Sequence, residues 1–581
     1  MIENVNNPSD IKSFTNKELQ ILAEDIRKAI IKKVNTTGGH MAPNLGIIET
    51  TIAMHYVFNS PQDKIIYDVS HQCYPHKMLT GRKDGFLEEL SYNKYTGYTA
   101  PEESVHDIFK IGHTSTSVSL AVGTAKARDL LKQNYNVIAL IGDGSLSGGE
   151  AYEGLNNAAT LNSNIIIIVN DNDMSIAENK GGLYSNLKLL RDTKGKSETN
   201  FFKSLGFDYY YEEEGNNIEK LIEIFRKVKD TNKPTIVHIR TLKGKGLVQA
   251  ETNKEKFHWV MPGILDEKSN TQQTENYYTI TTDFILEKAQ NDRRIVAITP
   301  ATPGAYGFTK EFRDKLGEQY VDVGIAEEHA IAYASALAKN GAKPILAIMS
   351  SFVQRTYDQL VQDLCLNNSP ATILVFWGAI SESDATHLGI FDMSMMCNIP
   401  NLVCLAPTNK EEYLAMLKWS TEQDQHPVVI RVPFIQLEST GIDDKTDYSK
   451  INKSKVIKHG SQIAILGLGN LFKHATELAN EITKIFKIEP TLINPVYYSG
   501  IDAELLNKIK ENHKLVITLE DGILEGGYGQ KVASYYGNSN IKVLNYGADK
   551  EFTDRLPLDE LYTKYRLKPE LIIEDIQQAL N

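Results

Sequence analysis

The chain reads as an α/β protein of three domains with mainly parallel sheets. Three observations carry that reading. Short apolar runs rich in Val and Ile recur along its length, helix-like stretches separate them, and two polar segments divide the runs into three series. A length of 581 residues is also too great for one core, since domains hold roughly 100–200 residues each.

The first series is "KIIYDV" (64–69), "NVIALIG" (136–142), "NIIIIV" (164–169) and "PTIVHIR" (234–240), giving a domain over 1–265. The polar stretch "DEKSNTQQTENYYT" (266–279) reads as a linker. A second domain, 280–440, contains "RIVAIT" (294–299), "KPILAIMSS" (343–351), "ATILVFW" (371–377), "NLVCLAP" (401–407) and "PVVIRVP" (427–433). After a second linker, "GIDDKTDYSKINKSK" (441–455), the third domain (456–581) has "SQIAILGLGN" (461–470), "EPTLINPV" (489–496) and "HKLVITLED" (513–521).

A net charge of −12 and the lack of a Lys/Arg-rich block argue against a nucleic-acid surface. A phosphorylated ligand must then be held by local donors. Four cysteines without C-x-x-C spacing suit a reducing compartment. The polar start "MIENVNNPSD" is unlike a secretion signal, and no apolar run approaches the ~18 residues of a membrane span. A cytoplasmic protein without membrane partners is expected.

Two strand ends stand out. "IGDGSLSGGE" (141–150) puts Asp143 between glycines, and "IIIIVNDNDMSI" (165–176) ends on alternating Asn and Asp. Ligands of open α/β sheets bind at such carboxyl ends. Turn formation accounts for either motif alone; together they offer hard oxygen ligands suited to Mg²⁺ shared with a phosphate. "IGHTSTSVSLAVGTA" (111–125) adds Gly, His, Thr and Ser at an expected helix start, a cradle for a diphosphate. GDG followed at this distance by Asn172 and Met174 is the signature of thiamine diphosphate enzymes.

Thiamine chemistry also requires a carboxyl group on the aminopyrimidine ring. In "YVDVGIAEEHAIAYASALAKNG" (320–341), Glu327 opens an alanine-rich helix closed by Asn340-Gly341. A carboxylate complementing the helix dipole explains Glu327 and Glu328 equally well. Phe352 in "SSFVQRTYDQ" offers an aromatic face for the pyrimidine. The two domains are expected to hold the two ends of one cofactor.

The chain resembles the 1-deoxy-D-xylulose-5-phosphate synthase family of transketolase-like enzymes. The matching stretches are "TTGGHMAPNLGIIETTIAMHYVFNSPQDKIIYDVSHQCYPHKMLTGR", "IGHTSTSVS", "IGDGSLSGGEAYEGLNNA", "NDNDMSI", "DVGIAEEHA", "SFVQRTYDQ" and the weaker "ATHLGIFDMSMM". The resemblance implies thiamine diphosphate and Mg²⁺ as cofactors, with Asp143, Asn172 and the Met174 carbonyl as metal ligands. It implies that His71, Gly112, His113, Ser115, Gly144, Ser145, Asn172 and Lys243 surround the cofactor, that Phe352 stacks on its pyrimidine, and that Glu327 activates it. His40, His71 and His258 would line the reacting centre and move protons, and Arg355, Arg431, Asp384 and His387 would face the substrate. The family reaction joins two carbons of pyruvate, after loss of CO₂, to an aldehyde, in isoprenoid and thiamine biosynthesis. A homodimer is implied as well.

Three departures from the family pattern fall where that family anchors the acceptor phosphate. Met349 stands where a tyrosine is usual. "VFWGAISESDATH" replaces a strand end reading D-R-A-G, with no arginine, and "RVPFIQ" keeps Arg431 but lacks the second arginine of R-Y-P-R-G. The segment near 184–202 is also shorter than usual. Each arginine–phosphate hydrogen bond contributes ~1.5–3 kcal/mol, so a paralogue with the same donor chemistry and a different, non-phosphorylated or nucleotide-linked acceptor stays open beside the family reaction. A transketolase and a catalytically silent scaffold are the remaining alternatives.

Overall fold

The computed structural model describes residues 1–266 and 275–580; most of the first linker read from the sequence (266–279) lies outside the described residues. The chain divides into two compact units, Met1–Gln272 with Gly324–Ala326 and Gln273–Val323 with Glu327–Asn581.

The first unit is built on a five-stranded, wholly parallel sheet in the order β1 (Lys64–Tyr67), β2 (Val137–Gly142), β3 (Ile165–Asp171), β5 (Pro234–Arg240) and β4 (Asp208–Glu212). Strands β2 and β3 are almost unbroken apolar runs because helices cover both faces, so neither face tolerates polar side chains. Ile138, Leu140, Ile166 and Ile168 enter one apolar cluster, and Ala139, Ile141, Ile167 and Val169 the opposite one. Past the end of β2 the Asp143 N–H still bonds the Asn170 carbonyl, at 3.1 Å. The chain then turns through Gly144–Ser147 into helix α1 (Gly149–Ala158). Beside this sheet, Gly39–His40 pairs antiparallel with Trp259–Val260.

The second unit holds two sheets. One is parallel throughout, in the order β10 (Val403–Leu405), β11 (Val428–Arg431), β9 (Thr372–Phe376), β8 (Lys343–Met349), β6 (Ile295–Thr299) and β7 (Tyr320–Asp322). The other runs β12 (Lys455–Lys458), β14 (Thr491–Asn494), β13 (Gln462–Gly467), β15 (His513–Ile523) and β16 (Lys542–Ala548), with only β12 antiparallel to its neighbour. Residues of both sheets, among them Ile298, Leu346, Ile373, Leu466 and Val516, belong to one apolar cluster. The polar segment 441–455 is accordingly anchored: Tyr448 is buried, and the Tyr497 hydroxyl donates to its carbonyl at 2.9 Å. Among the described residues no helix is long and apolar enough to cross a membrane, and all four cysteines are free and buried.

Candidate active site

In the first unit the β2 and β3 ends converge. Asp143 is buried, and its Oδ2 accepts hydrogen bonds from the Met174 N–H (3.1 Å) and from Asn179 Nδ2 (2.8 Å). Burial, followed by the neighbouring Asp171 charge, pushes its carboxyl up to about 8. Asp171 cannot serve as a ligand in the same way. Arg191 Nη1 bonds both its oxygens at 2.7 Å and His238 Nε2 takes Oδ2 at 2.9 Å. That pairing clamps the 171–173 turn and leaves Asn172 as the residue that supplies oxygen.

The Oδ1 atoms of Asn172 and Asn179 are buried without a hydrogen-bond partner. Orphaned acceptors of this kind are rare and costly, and with Asp143 they form an oxygen-rich set that a hard divalent cation satisfies. Among the described residues no three His, Cys, Asp or Glu side chains converge as metal ligands, so beside Asp143 such a cation would rely on amide, backbone and phosphate oxygens. Gly144 is required here: a Cβ would come within 3.0 Å of Ser175 Cα. These residues fit a cation and a diphosphate.

The anion cradle expected at 111–125 is built differently from a bare helix start. Helix Ser117–Leu130 forms, but the Ser115 and Ser117 N–H groups both donate to buried Asp68, at 2.8 and 3.0 Å. Those two amides are therefore committed to an internal carboxylate. Ser115, at φ +75°, donates its hydroxyl to the Ser145 carbonyl at 2.8 Å, joining this turn to the one after Asp143. Gly112 is buried and His113 half-buried just before it. Ser147 Oγ accepts from the Ile325 N–H at 3.0 Å.

The three histidines singled out from the sequence come together. Ring centroids lie 5.0 Å apart for His40–His71, 5.6 Å for His40–His258 and 5.4 Å for His71–His258, with Tyr98 6.0 Å from His40. Buried Lys243 joins this cluster to the oxygen set: its Nζ contacts His258 Nδ1 at 3.1 Å and donates to the Ser175 carbonyl. Burial brings the Lys243 ammonium down to about 7. Burial, then Lys243 and the other two rings, holds His258 well below its ordinary value and so neutral.

In the second unit Glu327 is the first residue of helix α2 (Glu327–Lys339). It is buried whereas Glu328 is half-buried, which separates the two carboxylates that the sequence left equivalent. Burial raises the Glu327 carboxyl, opposed by Arg355 at 3.6 Å, and its Oε2 has no hydrogen-bond partner. The Phe352 ring stands edge-on to His387 at 5.7 Å. Asp384 accepts from the Thr386 N–H at 2.9 Å and lies 3.6 Å from His387; burial would raise its carboxyl, but the His387 and Thr386 bonds outweigh it and bring it to about 2.

Arg431 corrects the expectation that it faces the acceptor. Its guanidinium is buried, and four of its five N–H donors are taken by Asp392 (2.8 and 3.2 Å), the Gly389 carbonyl (2.9 Å) and Asp521. It ties the 379–389 loop to the third sheet through two buried carboxylates, so its charge is spent on the fold.

Residues 2–199 and 191–241 match the family model described as 1-deoxy-D-xylulose-5-phosphate synthase. Residues 275–438 match the transketolase pyrimidine-binding domain and 452–572 the transketolase C-terminal domain. The 1-deoxy-D-xylulose-5-phosphate synthase of Caldanaerobacter subterraneus is 38% identical over 100% of this chain and 99% of that protein. The chain belongs to the 1-deoxy-D-xylulose-5-phosphate synthase family. Its members from Symbiobacterium thermophilum and Clostridium acetobutylicum are each 36% identical, over 100% and 99% of this chain and 95% and 99% of their own lengths.

In this family member, three residues passed over in the sequence shape the site. Buried Asn44 donates to the carbonyls of both His40 (2.9 Å) and His71 (2.8 Å) and so spaces the two rings. Asp68 holds the Ser115 turn, and Asn179 braces Asp143. Asn44 and Asn179 give no local signal, because their partners are distant in sequence; Asp68, at the end of "KIIYDV", shares the strand-end position that marked Asp143.

Proposed function

We propose that the chain decarboxylates pyruvate and joins the remaining two-carbon unit to an aldehyde, with thiamine diphosphate and Mg²⁺ as cofactors and D-glyceraldehyde 3-phosphate as the acceptor implied by the family. The observation that carries the reading is Glu327: a buried carboxyl at a helix start, whose Oε2 makes no hydrogen bond and meets only the Arg355 guanidinium at 3.6 Å, is a costly arrangement that fold maintenance does not require.

Asp143, Asn172 and the Met174 carbonyl would hold the cation, while Gly112, His113, Ser115, Gly144, Ser145 and Lys243 would surround the diphosphate. Phe352 would offer its ring to the pyrimidine. Bound thiamine diphosphate supplies a nucleophilic ring carbon and an electron sink for the loss of CO₂. Glu327, whose burial favours the protonated carboxyl, would be the group that holds a proton against the cofactor's ring. His258 is held neutral by burial, and His40 and His71, with ring centroids 5.6 and 5.4 Å from it, would complete the set of groups able to hold a proton at the reacting centre. Arg355 pairs with Glu327 and sets how readily that carboxyl ionises.

The same proposal takes the protein as a cytoplasmic homodimer, and four buried free thiols accord with a reducing compartment. Thiamine diphosphate with Mg²⁺ is expected to quench the tryptophan fluorescence of wild type and of Glu327→Gln alike, while only wild type forms an acyloin detectable by mass spectrometry. Acyloin formation by Glu327→Gln at the wild-type rate refutes the assignment; absence of any cofactor response in wild type favours a silent scaffold.

A further inference from the structure

The segment that carries His71 continues into a buried set of charged and imidazole side chains that the reaction does not use. His55 Nε2 meets His76 Nδ1 at 2.8 Å, and His76 Nε2 meets Asp107 Oδ1 at 2.7 Å. Arg82 forks onto both Asp107 oxygens, at 2.7 and 3.0 Å. Beside it Glu103 takes Arg82 at 3.2 Å and pairs with Lys77. Charged side chains as deeply buried as Lys77, Arg82 and Asp107 occur only when paired, and here two carboxylates meet two cations. The imidazoles are left neutral, since burial holds both His55 and His76 below their ordinary value. A neutral His76 that donates its Nε2–H to Asp107 offers Nδ1 as the acceptor for His55.

These groups join two stretches of chain. The first, 68–77, carries His71 and opens on a strained turn: Val69 and Ser70 have φ +57° and +64°, a conformation rare for a β-branched residue and kept only where the surroundings enforce it. The second, 96–111, carries Tyr98 and leads to Gly112 and His113; it forms neither helix nor strand beyond a single Thr99–Ile111 bridge. No ladder of hydrogen bonds fixes it. Two carboxylates do so instead. Asp107 Oδ2 accepts the Ala100 N–H at 2.8 Å while Oδ1 meets His76, and Glu103 Oε1 accepts the Thr96 N–H at 2.7 Å while Oε2 meets Lys77. Ser70 Oγ completes the seam, accepting the Thr99 N–H at 2.8 Å and donating to the Ile111 carbonyl at 2.7 Å.

Both stretches reach the histidine cluster. The His40 ring is 5.0 Å from His71 and 6.0 Å from Tyr98. His71 lies 5.4 Å from His258, which contacts Lys243 and through it the Ser175 carbonyl beside Gly144. The spacing of His71 and Tyr98 is thus set, within one compact unit, by side-chain carboxylates rather than by the sheet. Replacing buried ion pairs by apolar residues of similar volume is often neutral or stabilising, so fold maintenance alone does not account for this set.

Resting on the reading of the chain as a pyruvate-decarboxylating carboligase, we infer that Asp107, acting through His76 and the Ala100 N–H, is a positioning residue that sets the spacing of His71 and Tyr98 around His40. Glu103 does the same through Lys77 and the Thr96 N–H. Loss of either carboxylate frees the two stretches to shift against each other, which alters the geometry of the cluster and leaves its chemical groups in place.

The test compares Asp107→Asn with Asp63→Asn, which alters another buried carboxylate of the same unit, one that accepts from the Asn59 and Asn136 N–H groups. Both are expected to lower the denaturation midpoint. Only Asp107→Asn should lower kcat for CO₂ release from pyruvate by the holoenzyme, by about tenfold or more, since a misplacement of ~1 Å can cost about 10²-fold. The KM for pyruvate and the cofactor dissociation constant should change little. Equal kcat in the two folded variants overturns the inference. A second readout uses cofactor-free protein with isotope-labelled histidine: the His71 ring signals, assigned by their loss in His71→Asn, should move in Asp107→Asn and stay in Asp63→Asn. Signals unmoved in Asp107→Asn also overturn it. If Asp107→Asn does not fold, Glu103→Gln carries both comparisons, and the same results support or overturn the inference. Failure of the underlying reading looks different: wild type then releases no CO₂, while the ring signals still decide whether Asp107 positions His71.

Discussion

The histidine cluster of the first unit and the Arg431 strand end of the second are built on opposite principles. Around His258 and Lys243, polar groups are gathered for chemistry: an imidazole that burial holds neutral, an ammonium lowered to about 7 and, in the same unit, the Asn172 and Asn179 amide oxygens without donors. Around Arg431 the polar groups are turned on one another, with Asp392 and Asp521 pairing its guanidinium in the core. Interior polarity at the first place is available to a ligand, whereas at the second it is consumed by the fold.

The contrast yields an ordered set of expectations. The largest effect is expected at Glu327: Glu327→Gln should lower the carboligation rate by about 10²–10⁴-fold, the range for a group acting in proton transfer, with the cofactor dissociation constant little changed. Next is Arg431→Leu, which strands Asp392 and Asp521 in the core. It should destabilise the protein by about 3–5 kcal/mol, read from denaturant midpoints, and a variant of normal stability with a raised acceptor KM would move Arg431 back to the substrate.

A smaller loss is expected for Asp143→Ala. Cofactor affinity should fall by about tenfold or more, equivalent to ~1.4 kcal/mol per tenfold step, and should no longer respond to Mg²⁺ in a fluorescence titration. A metal response like that of wild type would break the assignment of the oxygen set.

The smallest effect is on pH dependence. Burial holds the Glu327 carboxyl above its ordinary value of 4.5, so the native protein keeps a proton that the unfolded chain has released. Its contribution to stability is present below that value and is lost as pH rises through the native group's titration. Cofactor-free Glu327→Gln should therefore lose less stability than wild type on going from pH 4.5 upward, as measured by denaturation at a series of pH values; parallel curves would place Glu327 in contact with water.

How much was legible beforehand follows the same physics. Central parallel strands announce themselves, since "NIIIIV" and "ATILVFW" must be apolar on both faces, and the observed β3 and β9 lie on them. Half-exposed strands such as Asp208–Glu212 and Lys542–Ala548 mix Tyr, Asn and Lys with apolar residues and gave no signal. Asp143 and Glu327 were legible because strand ends and helix starts are local features. The histidines were recognised only through the words around them; what assembles them is Asn44, whose bond to the His71 carbonyl spans 27 positions. Arg431 was misread for the same reason, because its partners Asp392 and Asp521 lie 39 and 90 positions away.

The most direct measurement of the central claim is release of labelled CO₂ from [1-¹³C]pyruvate, followed by NMR with and without thiamine diphosphate, Mg²⁺ and an aldehyde. The account predicts cofactor-dependent release matched by an equal amount of acyloin, abolished in Glu327→Gln. Release that is absent with every aldehyde offered, or undiminished in that variant, would contradict it.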